Sequence, residues 1–418
     1  MNRATEPAHA GTGDTAAAAA AAVGSIQHPR AAPRAAVLIG LDWGTTALRA
    51  YLFDAHGRVL DEHASAAGVM SVPAAAPPRM GTAAEPQRDA VREAAFNLAF
   101  DAACGAWLKQ TPGLAVIAAG MVGSAQGWCE TPYVETPADA AALAAHLVCL
   151  DTAGGTTVHI VPGVLQPGRL PNVMRGEETQ VFGALQPANE DLRDTAPASQ
   201  EIDAHNTRNA HNTHSTNHTA GVLIGLPGTH AKWVWVRGGR IEHFHTFMTG
   251  EVFAALSAHT ILGRTMQTPE HADLAAFVRG VEVARDAGQA GMLATVFSTR
   301  TLGLTGQLSA QQQPDYLSGL LIGHELGGLQ NVLAQRAATL AEQQPRLIGN
   351  DALCERYRLA LASFGCVAVE LVQHATARGL WHIAQRAGLV PAAPAAMAAT
   401  ANAPAMSHSP AHLRTSQE

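Results

Sequence analysis

The chain has 418 residues, a formal charge of -7, 47% apolar residues and five cysteines. Its 27 Lys and Arg are spread rather than clustered, which argues against a nucleic-acid partner, and no apolar run approaches the roughly 20 residues a membrane helix needs. Cys104, Cys129, Cys149, Cys354 and Cys366 form no CxxC pair and no zinc spacing, so the expectation is a cytoplasmic protein whose partners are small molecules.

Residues 1–35 are Ala-rich and broken by Pro, Gly and Asp, a composition expected to form a disordered tail. The run Ala16–Val23 lacks the compact basic start of a signal peptide. The first strand is VLIGL at Val37–Leu41, followed by Asp42-Trp43-Gly44-Thr45-Thr46 and two further strands around a turn at Gly57. Asp42 stands at a strand end beside a Gly-Thr turn whose N–H groups and hydroxyls can cradle a phosphate. A single carboxylate in that place suits the sparse protein shell of Mg2+, and Arg49 can neutralise phosphate charge. An ordinary hairpin turn explains the same residues.

A helical pattern follows over Glu85–Leu108, then an apolar strand at Leu114–Ile117 and the small residues Ala118–Ser124. These, with Ser124 and Trp128, either let a substrate approach closely or let a strand pack tightly on a helix. The segment Asn172–Gln180 carries Arg175, Gly176, Glu177 and Glu178 at the start of a short helix. Phosphoryl transfer to an alcohol needs a group that orients the hydroxyl and takes its proton, a role for Glu177 or Glu178. The bland alternative is acidity that favours a helix N-terminus. Arg175 fits either a substrate carboxylate or an ion pair with one of those glutamates.

Pro187–Thr219 is polar and contains His205, His211, His214 and His218 without any period that would set ligand geometry, so it is expected to be a flexible insertion rather than a metal site. VLIGL then returns at Val222–Leu226, followed by Gly228-Thr229-His230, a strand, a turn at Gly238-Gly239 and a third strand. A second phosphate-friendly turn is expected where one nucleotide is gripped from two sides. Helical patterns run over Gly250–Leu262, Pro269–Ala287 and Asp315–Leu340, and Gly349-Asn350 opens another at Asp351–Ser363, a turn suited to an adenosine pocket. Residues 391–418 read as a second tail.

The expected architecture is α/β, with duplicated lobes at 36–186 and 220–390 and a cleft between them. No GxxxxGK[ST] occurs, which argues against a P-loop enzyme.

Six blocks in order, LDWGTTALRAYL, IAAGMVGSAQGW, NVMRGEETQVFGAL, LPGTHAKWV, FMTGEVFAAL and YLSGLLIG, resemble the 2-dehydro-3-deoxygalactonokinase family of the actin, hexokinase and heat-shock ATPase superfamily. The resemblance covers about residues 36–390 and implies two actin-like, ribonuclease H-like lobes. It implies ATP and Mg2+, with phosphate passed to 2-dehydro-3-deoxy-D-galactonate to give the 6-phosphate. Asp42–Thr46 matches the first phosphate loop, Gly228–His230 the second and Gly349-Asn350 the adenosine turn. Related sugar kinases carry a Gly-Asp catalytic base where this chain has Gly176-Glu177, which leaves Glu177, Glu178 and Asp42 open as the base. Pro227 replaces the Asp that leads the second loop in many members, which puts the metal on Asp42. Another sugar acid or neutral sugar as acceptor is the nearest competing reading. A noncatalytic sugar sensor is another, although residues 1–35 offer no helix-turn-helix.

Overall fold

Alternation of buried faces sets out the first sheet. In Ala36–Trp43 (β1), Ile39, Leu41 and Trp43 bury on one side and Leu38 on the other. β1 pairs antiparallel with Leu48–Asp54 (β2), and β2 with Val59–Ser65 (β3), the meander read from the sequence. Helix Glu85–Gln110 (α1) lays Phe96, Phe100 and Trp107 over the Ile39 side and delivers the chain to Ala115–Ala119 (β4), parallel to β1. Tyr133–Glu135 (β5), Ala140–Ala145 (α2), Val148–Asp151 (β6), Thr157–Ile160 (β7), Gly163–Gln166 (β8), Asn172–Met174 (β9) and Glu177–Ala184 (α3) follow. The first sheet has the order β3-β2-β1-β4-β7-β6, and β5-β8-β9 form a small separate sheet.

The same grammar returns in Val222–Leu226 (β10), Ala231–Arg237 (β11) and Arg240–Phe247 (β12). Helices Thr249–His259 (α4), Leu274–Ala287 (α5), Met292–Thr295 (α6), Ser298–Leu304 (α7) and Gln313–Ala334 (α8) precede Arg346–Leu347 (β13). Asp351–Ser363 (α9), Glu370–Leu371 (β14) and Ala375–Arg386 (α10) complete a second sheet of order β12-β11-β10-β13-β14. The helix expected from Pro269 starts only at Leu274, because the Asp273 carboxylate accepts from the Ala276 N–H at 2.8 Å and caps it. The molecule is therefore mixed α/β, and among the described residues no helix is long and apolar enough to cross a membrane. The structure, a computed structural model, describes residues 35–72, 85–187, 221–287 and 290–390, all within one compact unit. The tails and the histidine-bearing insertion read from the sequence lie outside the described residues, save for Ala35 and Pro187.

Both sheets place an antiparallel meander beside parallel strands, but the two VLIGL copies are out of phase. Ile39 and Leu41 face the side covered by α1, whereas in β10 Leu223 faces the helices and Ile224 and Leu226 face inward. A one-residue slip exchanges the faces of a strand. Superposing the Gly-Thr turns, Gly44 on Gly228, brings like faces together; superposing the pentapeptides does not.

One core lies between the sheets, built from Leu38, Phe53 and Ile117 on the first and Ile224, Val234 and Phe244 on the second. Helix α10, which the sequence reading assigned to the 220–390 lobe, packs instead on α3, β1 and β4. Its Leu380 and Ile383 join that shared core. The small sheet latches to β12. Ala138 and Ile241 exchange backbone hydrogen bonds of 3.1 and 2.7 Å, Gln166 Oε1 accepts from the Phe244 N–H at 2.7 Å, and Thr246 Oγ1 donates to Asn172 Oδ1 at 2.8 Å.

Candidate active site

The first Gly-Thr turn is held from behind. The Gly44 N–H donates to the Ala47 carbonyl at 2.9 Å, while the N–H groups of Val69 and Met70 donate to the carbonyls of Gly44 and Thr45 at 2.9 and 3.0 Å. Trp43 anchors the strand end: fully buried, it packs edge-on against Phe96 and Trp128, and its Nε1 donates to the Ala67 carbonyl at 2.8 Å. Thr45 and Thr46 remain exposed, so the turn presents its hydroxyls outward from a rigid base. Asp42 stands beside it with its side chain 18% exposed and Arg49 Nη1 3.5 Å from Oδ2. Burial raises its carboxyl above the ordinary range, against the lowering influence of Arg49.

Three backbone segments converge at this strand end. Gly120, after β4, has φ +101°, and a Cβ there would lie 2.8 Å from the Trp43 carbonyl oxygen; Gly176 has φ +104°, and a Cβ there would lie 3.0 Å from Gly120 Cα. Only glycine tolerates both the dihedrals and the approach. The N-terminus of α3 is thereby brought beside the Asp42 turn.

The two glutamates that open α3 part company. Glu178 is fully buried, and its two oxygens accept from the Gly176 N–H at 2.8 and 2.7 Å. Burial, reinforced by the neighbouring Glu177 charge, pushes its carboxyl up to about 7. Glu177 is 27% exposed and reaches the other way: Oε2 accepts from the Arg175 N–H at 3.0 Å, and Oε1 lies 3.2 Å from Lys232 Nζ on β11. Lys232 was not singled out in the sequence, although it interrupts the buried run AKWVWV, where a charge needs a partner. It shares the inward face of β11 with Val234 and Val236, which is how it meets α3.

The second turn rests on the start of α4. A Cβ on Gly250 would come within 2.7 Å of the Gly228 carbonyl oxygen, the Glu251 N–H donates to the Thr229 carbonyl at 3.1 Å, and His230 Nε2 hydrogen-bonds Glu251 Oε2. Buried Glu325 fixes the same helix start by accepting from Thr249 Oγ1, Trp233 Nε1 and Tyr357 Oη at 2.5, 2.7 and 2.8 Å. Beside it a cavity of about 210 Å3 is lined by Phe247, Met248, Val252, Met292 and His324 among others. Gly349 packs against the second turn, a Cβ there lying 3.3 Å from the Pro227 carbonyl oxygen. The Asn350 side chain is committed to capping α9, accepting from the N–H groups of Ala352 and Leu353.

Several expected contacts fall elsewhere. Trp128 is a core residue, stacked on Phe96 beneath α1 and 6% exposed, rather than a substrate platform. The Ser124 hydroxyl is buried and donates to the Met121 carbonyl at 2.7 Å, within its own turn. Of the two partnerships read from the sequence, Arg175 does not form the ion pair with Glu177 or Glu178. Its Nη1 donates to Thr131 Oγ1 and its Nη2 to the Thr131 carbonyl at 2.8 Å, its guanidinium lies 4.3 Å from the Tyr133 ring centroid, and its buried Nε has no partner.

Among the described residues no group of three or more His, Cys, Asp or Glu is placed to hold a metal by itself. The lone Asp42 carboxylate beside a hydroxyl-bearing turn fits Mg2+, which takes few protein ligands and fills its shell with water and phosphate oxygens.

Comparison with known proteins bears on the family of the chain. The sequence profile of 2-keto-3-deoxy-galactonokinase matches residues 42–197 and 209–383. The 2-dehydro-3-deoxygalactonokinase of Escherichia coli (strain K12) is 31% identical over 330 residues, 78% of this chain and 90% of that protein. A crystal structure of a Sinorhizobium meliloti protein, provisionally described as the same kinase, has 31% identity and a TM-score of 0.64, covering 83% of this chain and 98% of the other.

Proposed function

Since the chain belongs to the 2-keto-3-deoxy-galactonokinase family, we propose that it transfers the γ-phosphoryl group of ATP to the terminal hydroxyl of 2-dehydro-3-deoxy-D-galactonate, giving the 6-phosphate and ADP. The observation that carries the proposal is the close backbone approach, through Gly120 and Gly176, of the strand end that bears Asp42 and the helix start that bears Glu177, both partly exposed, with a Gly-Thr turn in each half of the molecule. On this reading the two sheets are the two lobes of an actin-like fold, 36–186 and 220–390, with α10 crossing back to the first. The five cysteines, all free, accord with a cytoplasmic location.

Glu177 orients the sugar-acid hydroxyl and takes its proton as the oxygen attacks the γ-phosphorus; the bond from that phosphorus to the β-γ bridging oxygen breaks and ADP leaves. Glu178 does not take this part, because it is sealed from solvent and bound to the Gly176 N–H. Mg2+, held through Asp42, would neutralise phosphate charge when bound. The exposed Thr45 and Thr46 and the Gly228–Thr229 turn hold phosphate oxygens from opposite sides. Gly349, packed beside the second turn, belongs to the adenosine side. The cationic Arg175, whose guanidinium lies over the Tyr133 ring, favours an acidic acceptor.

The test is ADP release with ATP and Mg2+ across 2-keto-3-deoxy sugar acids, their C4 epimers and neutral sugars. Preference for 2-dehydro-3-deoxy-D-galactonate is expected. Turnover confined to another acceptor rejects the substrate, and no turnover with any rejects the kinase. In the same assay Glu177→Gln and Asp42→Asn should each lower kcat about 10²- to 10⁴-fold. Full turnover in either removes that residue from its role.

A further inference from the structure

We propose that Lys232 is a positioning residue for phosphoryl transfer, holding the Glu177 carboxylate from the opposite sheet so that it points at the acceptor hydroxyl. The proposal rests on the reading of Glu177 as proton acceptor. Lys232 is 4% exposed, and a buried ammonium is costly unless it is paired. Its two partners are Glu177 Oε1 at 3.2 Å and the His230 carbonyl at 3.3 Å. One cation thus ties the second Gly-Thr turn to the carboxylate at the start of α3. With the Arg175 N–H on Oε2, both oxygens of Glu177 are pinned, one from each half of the molecule. A proton acceptor held at two points keeps its angle to the attacking hydroxyl, and small misplacements of such a group cost rate rather than binding. Neither partner needs Lys232 for its backbone geometry: the Glu177 helix is set by the Gly120–Gly176 approach, and the second turn by Gly250.

The experiment compares Lys232→Met, Lys232→Arg, Glu177→Gln and the Lys232→Met/Glu177→Gln pair, reading kcat, both KM values and the thermal midpoint. Lys232→Met should lower kcat about 10- to 100-fold with both KM values within about threefold of wild type. Lys232→Arg, which keeps the charge, should recover part of that loss. Because Lys232 acts through Glu177, the double variant should be no slower than Glu177→Gln alone. Wild-type kcat in Lys232→Met, or losses that multiply in the double variant, would overturn the positioning role. Should Lys232→Met fail to fold, Lys232→Gln replaces it, and equal turnover in the Gln and Arg variants has the same overturning force. Full activity in Glu177→Gln instead rejects the underlying reading, whatever the lysine variants do, so the two failures are told apart.

Discussion

Glu177 and Glu178 are adjacent, identical in type, and subject to opposite physics. A carboxyl whose folded value lies near 7, against an ordinary 4.5, binds its proton more tightly in the native state. Its contribution to stability is therefore full below about pH 4.5 and is lost as pH rises through about 7. Glu178→Gln keeps the shape and remains neutral, so it should match wild type at pH 5 and exceed it at pH 8, by on the order of 2 kcal/mol. Urea midpoints at the two pH values decide this; a constant difference between them would show that Glu178 ionises normally. Turnover should survive the substitution, because Glu178 faces its own backbone rather than solvent. The sequence placed both glutamates correctly at a helix start but left the base open, since helix periodicity does not say which of two neighbours is sealed in. Trp128 went astray for the same reason: an aromatic beside small residues reads alike as a platform or as core.

At the scale of elements, the crossing of α3 and α10 controls where Glu177 sits. The helices approach so closely that a Cβ on Gly183 would lie 1.8 Å from the Ala375 carbonyl oxygen, and one on Gly379 1.9 Å from that of Thr179. Backbone cannot yield as a flexible side chain does, so Gly183→Ala and Gly379→Ala should each cost about 1–3 kcal/mol and lower kcat by shifting the start of α3. Gly105→Ala, on α1 with only ordinary contact at 3.7 Å, is the control and should stabilise by about 0.5–1 kcal/mol. Denaturant midpoints separate these outcomes, and a neutral Gly183→Ala would mean the crossing is looser than drawn. The two meanders, β4 and the longer helices were legible because each is written in local alternation or helical period, whereas the short strands β5–β9, β13 and β14 are too brief to show one. The crossing was not legible either, because nothing near Ala375 in the chain announces a partner near Gly183. The repeated VLIGL was informative for a reason other than its identity. It marked two strands that lead into Gly-Thr turns, while burial shows the pentapeptides themselves to be one residue out of phase.

On the whole-molecule scale, the sheets share one core, and α10 closes it from far along the chain. Leu380 and Ile383 are fully buried with Leu38 and Ile117 of the first sheet and with Ile224 of the second. Gln180 of α3 adds a hydrogen bond of 3.2 Å to Thr376. A chain ending at His374 would leave this inward face of β1 and β4 uncovered, and burying two such side chains is worth about 1.5–3 kcal/mol each, a large fraction of an ordinary margin of stability. That truncation is expected to abolish the cooperative transition, whereas a chain ending at Val390 should retain it. For the same reason a fragment of residues 36–186, although it holds the whole first sheet, should not fold alone, but should regain near-UV circular dichroism when mixed with a fragment of residues 220–390. Native-like dichroism from 36–186 by itself would show that the halves are independent and that α10 is dispensable to the first. In the intact chain, heating should give one transition rather than two, because no layer of the shared core can open without exposing apolar surface on both sheets.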